Sequence, residues 1–190
     1  MILGITGGTG SGKTTLLQIA RDLGFRVLDC DAIYHRLLQT DAALLAAIES
    51  RFPGTVKEGQ LQRKKLGAVV FTDPAALQDL NAITHGAICR EVKRQILPGE
   101  NVAIDAIALF ESGLDRLCDV TVAVTAPGEV RVRRLMERDG ITEQYARSRI
   151  AAQPSEEYYR QHCDQILENP GDLAAFRSKC LAFFAQRGIM

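Results

Sequence analysis

From Gly7 to Thr14 the chain reads G-x-x-x-x-G-K-T, and the residues on either side leave this octet little choice of setting. The run before it (Ile2, Leu3, Ile5) is apolar and short, as in a buried strand. A helical pattern follows at once in Leu16, Leu17, Ile19, Ala20 and Leu23. Between them, Gly7, Gly8, Gly10 and Gly12 allow backbone angles and close approaches that side chains forbid. A strand, a glycine loop and a helix N-terminus in that order form a cradle of N–H groups for the β-phosphate of a nucleotide. The predicted nucleotide-binding residues are Gly8, Thr9, Gly10, Ser11, Gly12, Lys13, Thr14 and Thr15. Lys13 is expected to reach the β/γ oxygens and the Thr14 hydroxyl to bind Mg²⁺. The competing explanation, a glycine-rich turn before a helix, does not account for the Lys-Thr pair. A nucleoside triphosphate is the predicted ligand.

The loop alone serves kinases, ATPases and GTPase switches, so the fate of the phosphate must be read elsewhere. The 190 residues suffice for one domain, or one domain with an insertion, and a substantial core. The 23 basic and 23 acidic residues balance, which argues for a small-molecule partner and against nucleic acid. Cys30, Cys89, Cys118, Cys163 and Cys180 form no C-x-x-C pair, a pattern of reduced thiols in a cytoplasmic protein. No apolar run approaches the roughly 18 residues of a membrane span, and the chain opens on a core strand with no signal peptide. A soluble, cytoplasmic protein is expected.

Strand and helix patterns alternate. Further strands are predicted at Phe25–Cys30, Asn101–Asp105, Asp119–Thr125 and, more weakly, Gln165–Leu167. This alternation predicts an α/β fold with a five-stranded parallel sheet, whose ligands sit at the carboxyl ends of the strands. Those ends carry the phosphate loop, Asp29 and Asp31, Asp105 to Glu111, and Pro127. The second and third strands are separated by about 70 residues, where a parallel crossover needs only about a dozen. The excess reads as helices over Ala42–Phe52, Gln62–Val70 and Asp73–Ile96, with Pro74 at an early helical position. Residues 35–96 are therefore predicted to form an inserted helical domain for the second substrate, and residues 1–34 and 97–190 the nucleotide-binding core.

After the fourth strand the chain turns arginine-rich, with Arg131, Arg133, Arg134, Arg138, Arg147, Arg149 and Arg160 interleaved among glutamates and aspartates. A solvated hairpin laced with ion pairs accounts for some of these residues. At this topological position the hairpin, about 128–160, also suits a lid whose guanidinium groups meet a transferring phosphoryl group. The D-x-x-G and N-K-x-D patterns of GTPase switches are absent from the chain. A kinase of a small alcohol needs a carboxylate near the γ-phosphate. Both Asp31 and Asp29 stand near the end of the second strand, and a cap for the helix that begins near Ala32 is the alternative role for either. Spacing alone does not choose between them.

Gly7 to Thr15 followed by Val27-Leu28-Asp29-Cys30-Asp31 resembles the phosphate loop and D-A-D segment of dephospho-coenzyme A kinases. The resemblance continues, in order and over nearly the whole chain, through Gly59 to Arg63, Leu80-Asn81 with His85, and Leu109-Phe110-Glu111. It runs on through Arg134 with Arg138, Arg149-Ile150 with Gln153, and Asn169-Pro170-Gly171. It implies a P-loop kinase core with a helical substrate domain and a lid, and transfer from ATP to the ribose 3′-hydroxyl of dephospho-coenzyme A. By the same resemblance Asp31 is the catalytic aspartate, with Lys13 and Arg138 as its catalytic partners. Asn169 lies near the adenine, and Arg63, His85 and Glu111 contact dephospho-coenzyme A. The chain departs from the family at Ile107-Ala108, where Pro-Leu is usual, and at Cys30, where alanine is usual. Another small P-loop kinase, of a nucleoside, nucleotide or shikimate-like alcohol, is the alternative reading. A non-enzymatic nucleotide switch is a more distant one.

Overall fold

The computed structural model describes residues 1–189. Its chain runs β1 (Ile2–Thr6), α1 (Lys13–Asp22), β2 (Arg26–Asp29), α2 (Cys30–Thr40), α3 (Ala42–Arg51), β3 (Val56–Lys57), β4 (Gln60–Leu61), α4 (Arg63–Val70) and α5 (Pro74–Gln95). It continues through β5 (Val102–Asp105), a 3₁₀ turn (Leu114–Leu117), β6 (Val120–Thr125), α6 (Gly128–Asp139), α7 (Glu143–Ala151), α8 (Glu156–His162), β7 (Gln165–Glu168) and α9 (Leu173–Ala185).

Five parallel strands form the sheet in the order β2-β5-β1-β6-β7. β1 is central, and Leu3 and Ile5 are fully buried, as expected of a strand covered on both faces. Residues alternate between faces with period two. On β5, Ala103 packs with α1 and α9, whereas Val102 and Ile104 pack with the helices between β2 and β5. The long insertion therefore covers one face of the sheet and shares its core, from Leu28 and Ile104 out to Ile48 and Leu66. The expected boundary at residue 34 falls inside α2, which is continuous from Cys30. The insertion grows out of the sheet layer because its apolar stripes have nowhere else to be buried.

Most of the helices, though not α1, α4 or α6, begin where a short polar side chain meets free N–H groups. Asp41 caps α3, Asp73 caps α5 with Pro74 in its first turn, and Thr142 and Ser155 cap α7 and α8. The hairpin β3–β4 was not anticipated. Its two-residue strands are too short to show periodicity, and its turn has positive φ at Glu58 (51°) and Gly59 (72°), the geometry of a tight two-residue hairpin.

The arginine-rich segment is less uniform than a single lid over 128–160. α6 and α7 form a hairpin, turned at Gly140, around a small apolar cluster of Val132, Leu135 and Ala146. α8 instead packs beside β7, with Tyr159 buried. An aromatic residue committed to the core ties α8 to the sheet, so the projecting part ends near Ala152.

Candidate active site

At the carboxyl edge of the sheet, residues Gly8 through Thr14 line a cavity of about 670 Å³, while Thr15 does not reach it. Gly12 is the N-cap of α1 in a left-handed conformation (φ 100°), and a Cβ there would collide with the Asn169 amide. No side chain caps α1 and no acidic residue occupies its first turn. The N–H groups and positive dipole of that helix end are thus left for an anion. Lys13, Arg134, Arg138 and Arg149 line the same cavity, with Asp31, Asp105 and Glu137 among them.

Lys13 Nζ lies 3.1 Å from Asp105 Oδ1, and both side chains are largely buried. Burial raises the Asp105 carboxyl above its usual range, the Lys13 ammonium pulls the other way, and the net shift is upward. Asp105 had no assigned role in the sequence. Its signal was an acidic residue closing an apolar strand, but only the β1–β5 pairing brings it to Lys13.

The two candidate aspartates part ways because β2 ends at Asp29. Its backbone is extended and its Oδ1 accepts from Ala32 N at 2.9 Å, so Asp29 caps α2. Asp31, in the first turn of that helix, borders the 670 Å³ cavity and also a second cavity of about 220 Å³. This second space is mostly apolar, walled by Tyr34, Leu80, Thr84 and Ile88 of α2 and α5 and by Ala106 to Ala108. His85 lines it. So does Cys30, whose thiol is pushed up to about 12, first by burial and then by the carboxylates of Asp105, Asp29 and Asp31. Tyr34 and Leu80 continue into a third hollow of about 270 Å³, where Arg63 sits with Leu66, Val70 and the exposed Phe71. Arg63 also approaches His35 Nδ1 at 3.5 Å.

Other predicted residues fall differently. Glu111 is exposed, lines none of these cavities, and accepts from the Tyr158 hydroxyl at 3.2 Å. Residues 107–113 form consecutive turns, with Ser112 N bonded to Ala108 O, and these carry Glu111 round toward α8. The family's Pro-Leu is replaced within this stretch. Asn169 is buried, and its side-chain amide bonds to the phosphate loop, to Arg134 and to Gly171. Nδ2 donates to Ser11 O at 2.8 Å, and Oδ1 accepts from Arg134 Nη2 at 3.2 Å and Gly171 N at 3.1 Å. Arg134 also donates to the carbonyls of Gly10 and Ser11 at 3.1 and 3.2 Å. Asn169 and Arg134 therefore buttress the loop, Arg134 from the wall of the cavity. Arg138 sits on the cavity wall, exposed, and is forked onto Asp139 at 2.7 and 3.0 Å. Arg149 reaches the same carboxylate at 2.6 Å, and the two guanidinium groups hold Asp139 down to about 2. Arg147 borders none of these three cavities and is held on the surface by Glu129 and Glu143. Among the described residues, no cluster of three or more His, Cys, Asp or Glu side chains gathers to hold a metal, and no helix is long and apolar enough to cross a membrane.

A phosphate loop on a five-stranded parallel sheet, with an arginine-bearing helical hairpin beside it and an acidic residue facing a second cavity, defines a P-loop kinase. Residues 1–175 match the family model described as dephospho-CoA kinase. A dephospho-CoA kinase of Syntrophotalea carbinolica is 36% identical over 193 residues, covering 98% of this chain and 92% of that protein. A crystal structure from Thermus thermophilus superposes with a TM-score of 0.80 at 35% identity, covering 98% of this chain and 97% of that one. The dephospho-CoA kinase of Campylobacter jejuni superposes with a TM-score of 0.70 at 28% identity, covering 100% and 98%. This chain belongs to the dephospho-CoA kinase family.

Proposed function

We propose that the protein transfers the γ-phosphate of ATP to the ribose 3′-hydroxyl of dephospho-coenzyme A, releasing coenzyme A and ADP. One observation carries this reading beyond family membership: Asp31 stands at the border of a cation-lined cavity on the phosphate loop and a mostly apolar cavity between α2 and α5. A triphosphate suits the first space, with its phosphates on the free N–H groups of α1 and on Lys13. An acceptor with an apolar arm suits the second and the hollow beyond it, where Arg63 offers a cation to a diphosphate.

Placed between the two, Asp31 accepts a hydrogen bond from the attacking hydroxyl and receives its proton as transfer proceeds. The nucleophile is then aligned by the two cavities, and the protein's main contribution is positioning and charge stabilisation. Lys13 exchanges its Asp105 contact for phosphate oxygens when ATP arrives. Arg138 and Arg149, presented by α6 and α7, leave Asp139 for the transferring group as the hairpin closes and water is excluded. The donor set also suits Mg²⁺. Thr14 offers a hydroxyl and Asp31 and Asp105 offer carboxylates on the same wall, the sparse oxygen set on which Mg²⁺ depends when phosphates and water complete its shell. Bound there, the ion would neutralise charge on the β and γ oxygens. Balanced charge and five free cysteines support a small-molecule reaction in the cytoplasm.

Purified protein with ATP and Mg²⁺ should turn dephospho-coenzyme A into coenzyme A with one ADP released per turnover. A panel of nucleosides, nucleotides and shikimate, read by the same ADP release, tests the alternative. Preference for any of these over dephospho-coenzyme A would overturn the proposal.

A further inference from the structure

The phosphate loop is gripped from behind by the roots of the lid. Gln153 Oε1 accepts from Thr9 N at 2.8 Å and from Arg131 Nη2 at 2.8 Å. Arg131 Nε in turn donates to the Thr9 carbonyl at 2.9 Å. Both sides of one loop residue are therefore held, and the two grips are joined to each other, closing a ring of three hydrogen bonds. Arg131 belongs to the first turns of α6, on the outgoing root of the hairpin, and Gln153 lies just past the C-cap of α7, on its return. The site around them is half-buried, and burial lowers the Arg131 guanidinium from its ordinary value. A Cβ at Gly8 would displace the Arg131 guanidinium and crowd Gln153 Oε1, so a side chain there would disturb this ring.

The geometry assigns Gln153 as a positioning residue for phosphoryl transfer. Through one carbonyl oxygen it ties both roots of the lid to the loop that holds ATP. The inference rests on the proposed phosphotransfer. Residues Arg131, Gln153 and Thr9 then move as one body, and only the tip beyond them, with Arg138, Asp139 and Arg149, swings over the triphosphate. An amide is suited to this task because its oxygen has two acceptor directions, and here each is used by a donor that lacks another partner in the ring. Thr9 N–H is spent on Gln153, so this donor is directed at the lid root. Removing the oxygen leaves the Thr9 backbone donor and the Nη2 donor of Arg131 without their acceptor, with only the Arg131 Nε bond to the Thr9 carbonyl remaining, and the loop is then free to shift relative to the lid arginines. A misplacement of even about 1 Å in such a site costs on the order of 10²-fold in rate.

Gln153→Met removes the acceptor and keeps the volume, while Gln153→Glu keeps an accepting oxygen for both donors. Steady-state kinetics and calorimetric binding of ATP and of dephospho-coenzyme A separate the possibilities. Gln153→Met should raise the KM for ATP and lower kcat, together on the order of 10–10²-fold in kcat/KM, with unchanged affinity for dephospho-coenzyme A. Gln153→Glu should recover most of the loss. Arg131→Met should resemble Gln153→Met, and the double variant should be little worse than either single, because the ring acts as a unit. Wild-type kinetics in Gln153→Met, failure of the glutamate to rescue, or additive losses in the double variant would each overturn the assignment. If Gln153→Met fails to fold, Arg131→Met and Gln153→Glu carry the same comparison. Failure of the underlying phosphotransfer reading looks different, since wild-type protein itself would then make no coenzyme A.

Discussion

Replacing Lys13 by methionine removes one charge, keeps most of the stem, and exposes what the lysine does for the empty site as well as for ATP. Its ammonium lies 3.1 Å from Asp105, with 16% and 20% of the two side chains exposed. At that separation and an effective dielectric of about 20, the attraction is about 5 kcal/mol, much of it offset by desolvation of the two groups. Taking one partner from a fully buried pair costs about 3–5 kcal/mol. Here a fifth of the remaining carboxylate is open to the cavity, so about 2–3 kcal/mol of stability should be lost at neutral pH. The pH dependence identifies the cause. Burial already raises the Asp105 carboxyl against the pull of Lys13, and without the lysine it must rise further. A carboxyl whose folded value lies above the unfolded one, about 3.9, binds its proton more tightly in the folded state. The stability this contributes is fully present below the unfolded value and is lost as pH rises through the folded value. The deficit of Lys13→Met relative to wild type should therefore be largest near pH 7 and shrink on acidification toward the folded carboxyl's range. Thermal midpoints across pH, measured for wild type, Lys13→Met and Lys13→Met/Asp105→Asn, test this. The double variant should recover most of the deficit and lose its extra pH dependence, while ADP release stays down by roughly 10²–10³-fold in both. A deficit that is constant with pH and unrelieved by Asp105→Asn would refute the pairing.

Two further comparisons address the acid–base group and the lid. Asp31→Asn should retain ATP binding and lose kcat by on the order of 10²–10⁴. Asp29→Asn should be nearly silent, because asparagine caps a helix about as well as aspartate; the opposite ranking in steady-state assays would reverse the assignment of the base. Arg138→Ala should lower kcat more than it raises the KM for ATP, since the contact forms only with the lid closed. Arg147→Ala, which frees only surface carboxylates, should match wild type in kinetics and thermal midpoint; equal, near-wild-type behaviour of both variants would return the hairpin to a solvated surface.

Much of the fold was legible because its signals are local. Buried parallel strands need short apolar runs, and Ile2–Thr6 and Val120–Thr125 supply them within a residue or so of the observed ends. Pro74 after Asp73 marks the start of α5, and the glycine loop before Lys13-Thr14 marks an anion site whatever surrounds it. Where a signal spans only two residues, as in β3 and β4, there is too little periodicity to read. Asp29 and Asp31 were inseparable in the sequence because their roles turn on which residue ends β2, a difference of one or two positions that is below the resolution of any pattern.

The chain's own order of residues thus decided that it would form a phosphate loop on a parallel sheet with a long insertion and an arginine-rich hairpin. Tertiary structure alone decided which of those residues meet. Lys13 finds Asp105 because β1 and β5 are neighbours, although 92 positions separate the two. Asn169 lies beneath Ser11 across 158 positions, and Gln153 holds Thr9 across 144. Glu111 is carried away from the cavities by a succession of turns that the residue pattern does not announce. Helix and strand propensities are written in windows of a few residues, where neighbouring side chains compete for the same backbone angles. The partners of a loop at the carboxyl edge depend on strand order and register, which are settled only when the whole hydrophobic core is buried at once.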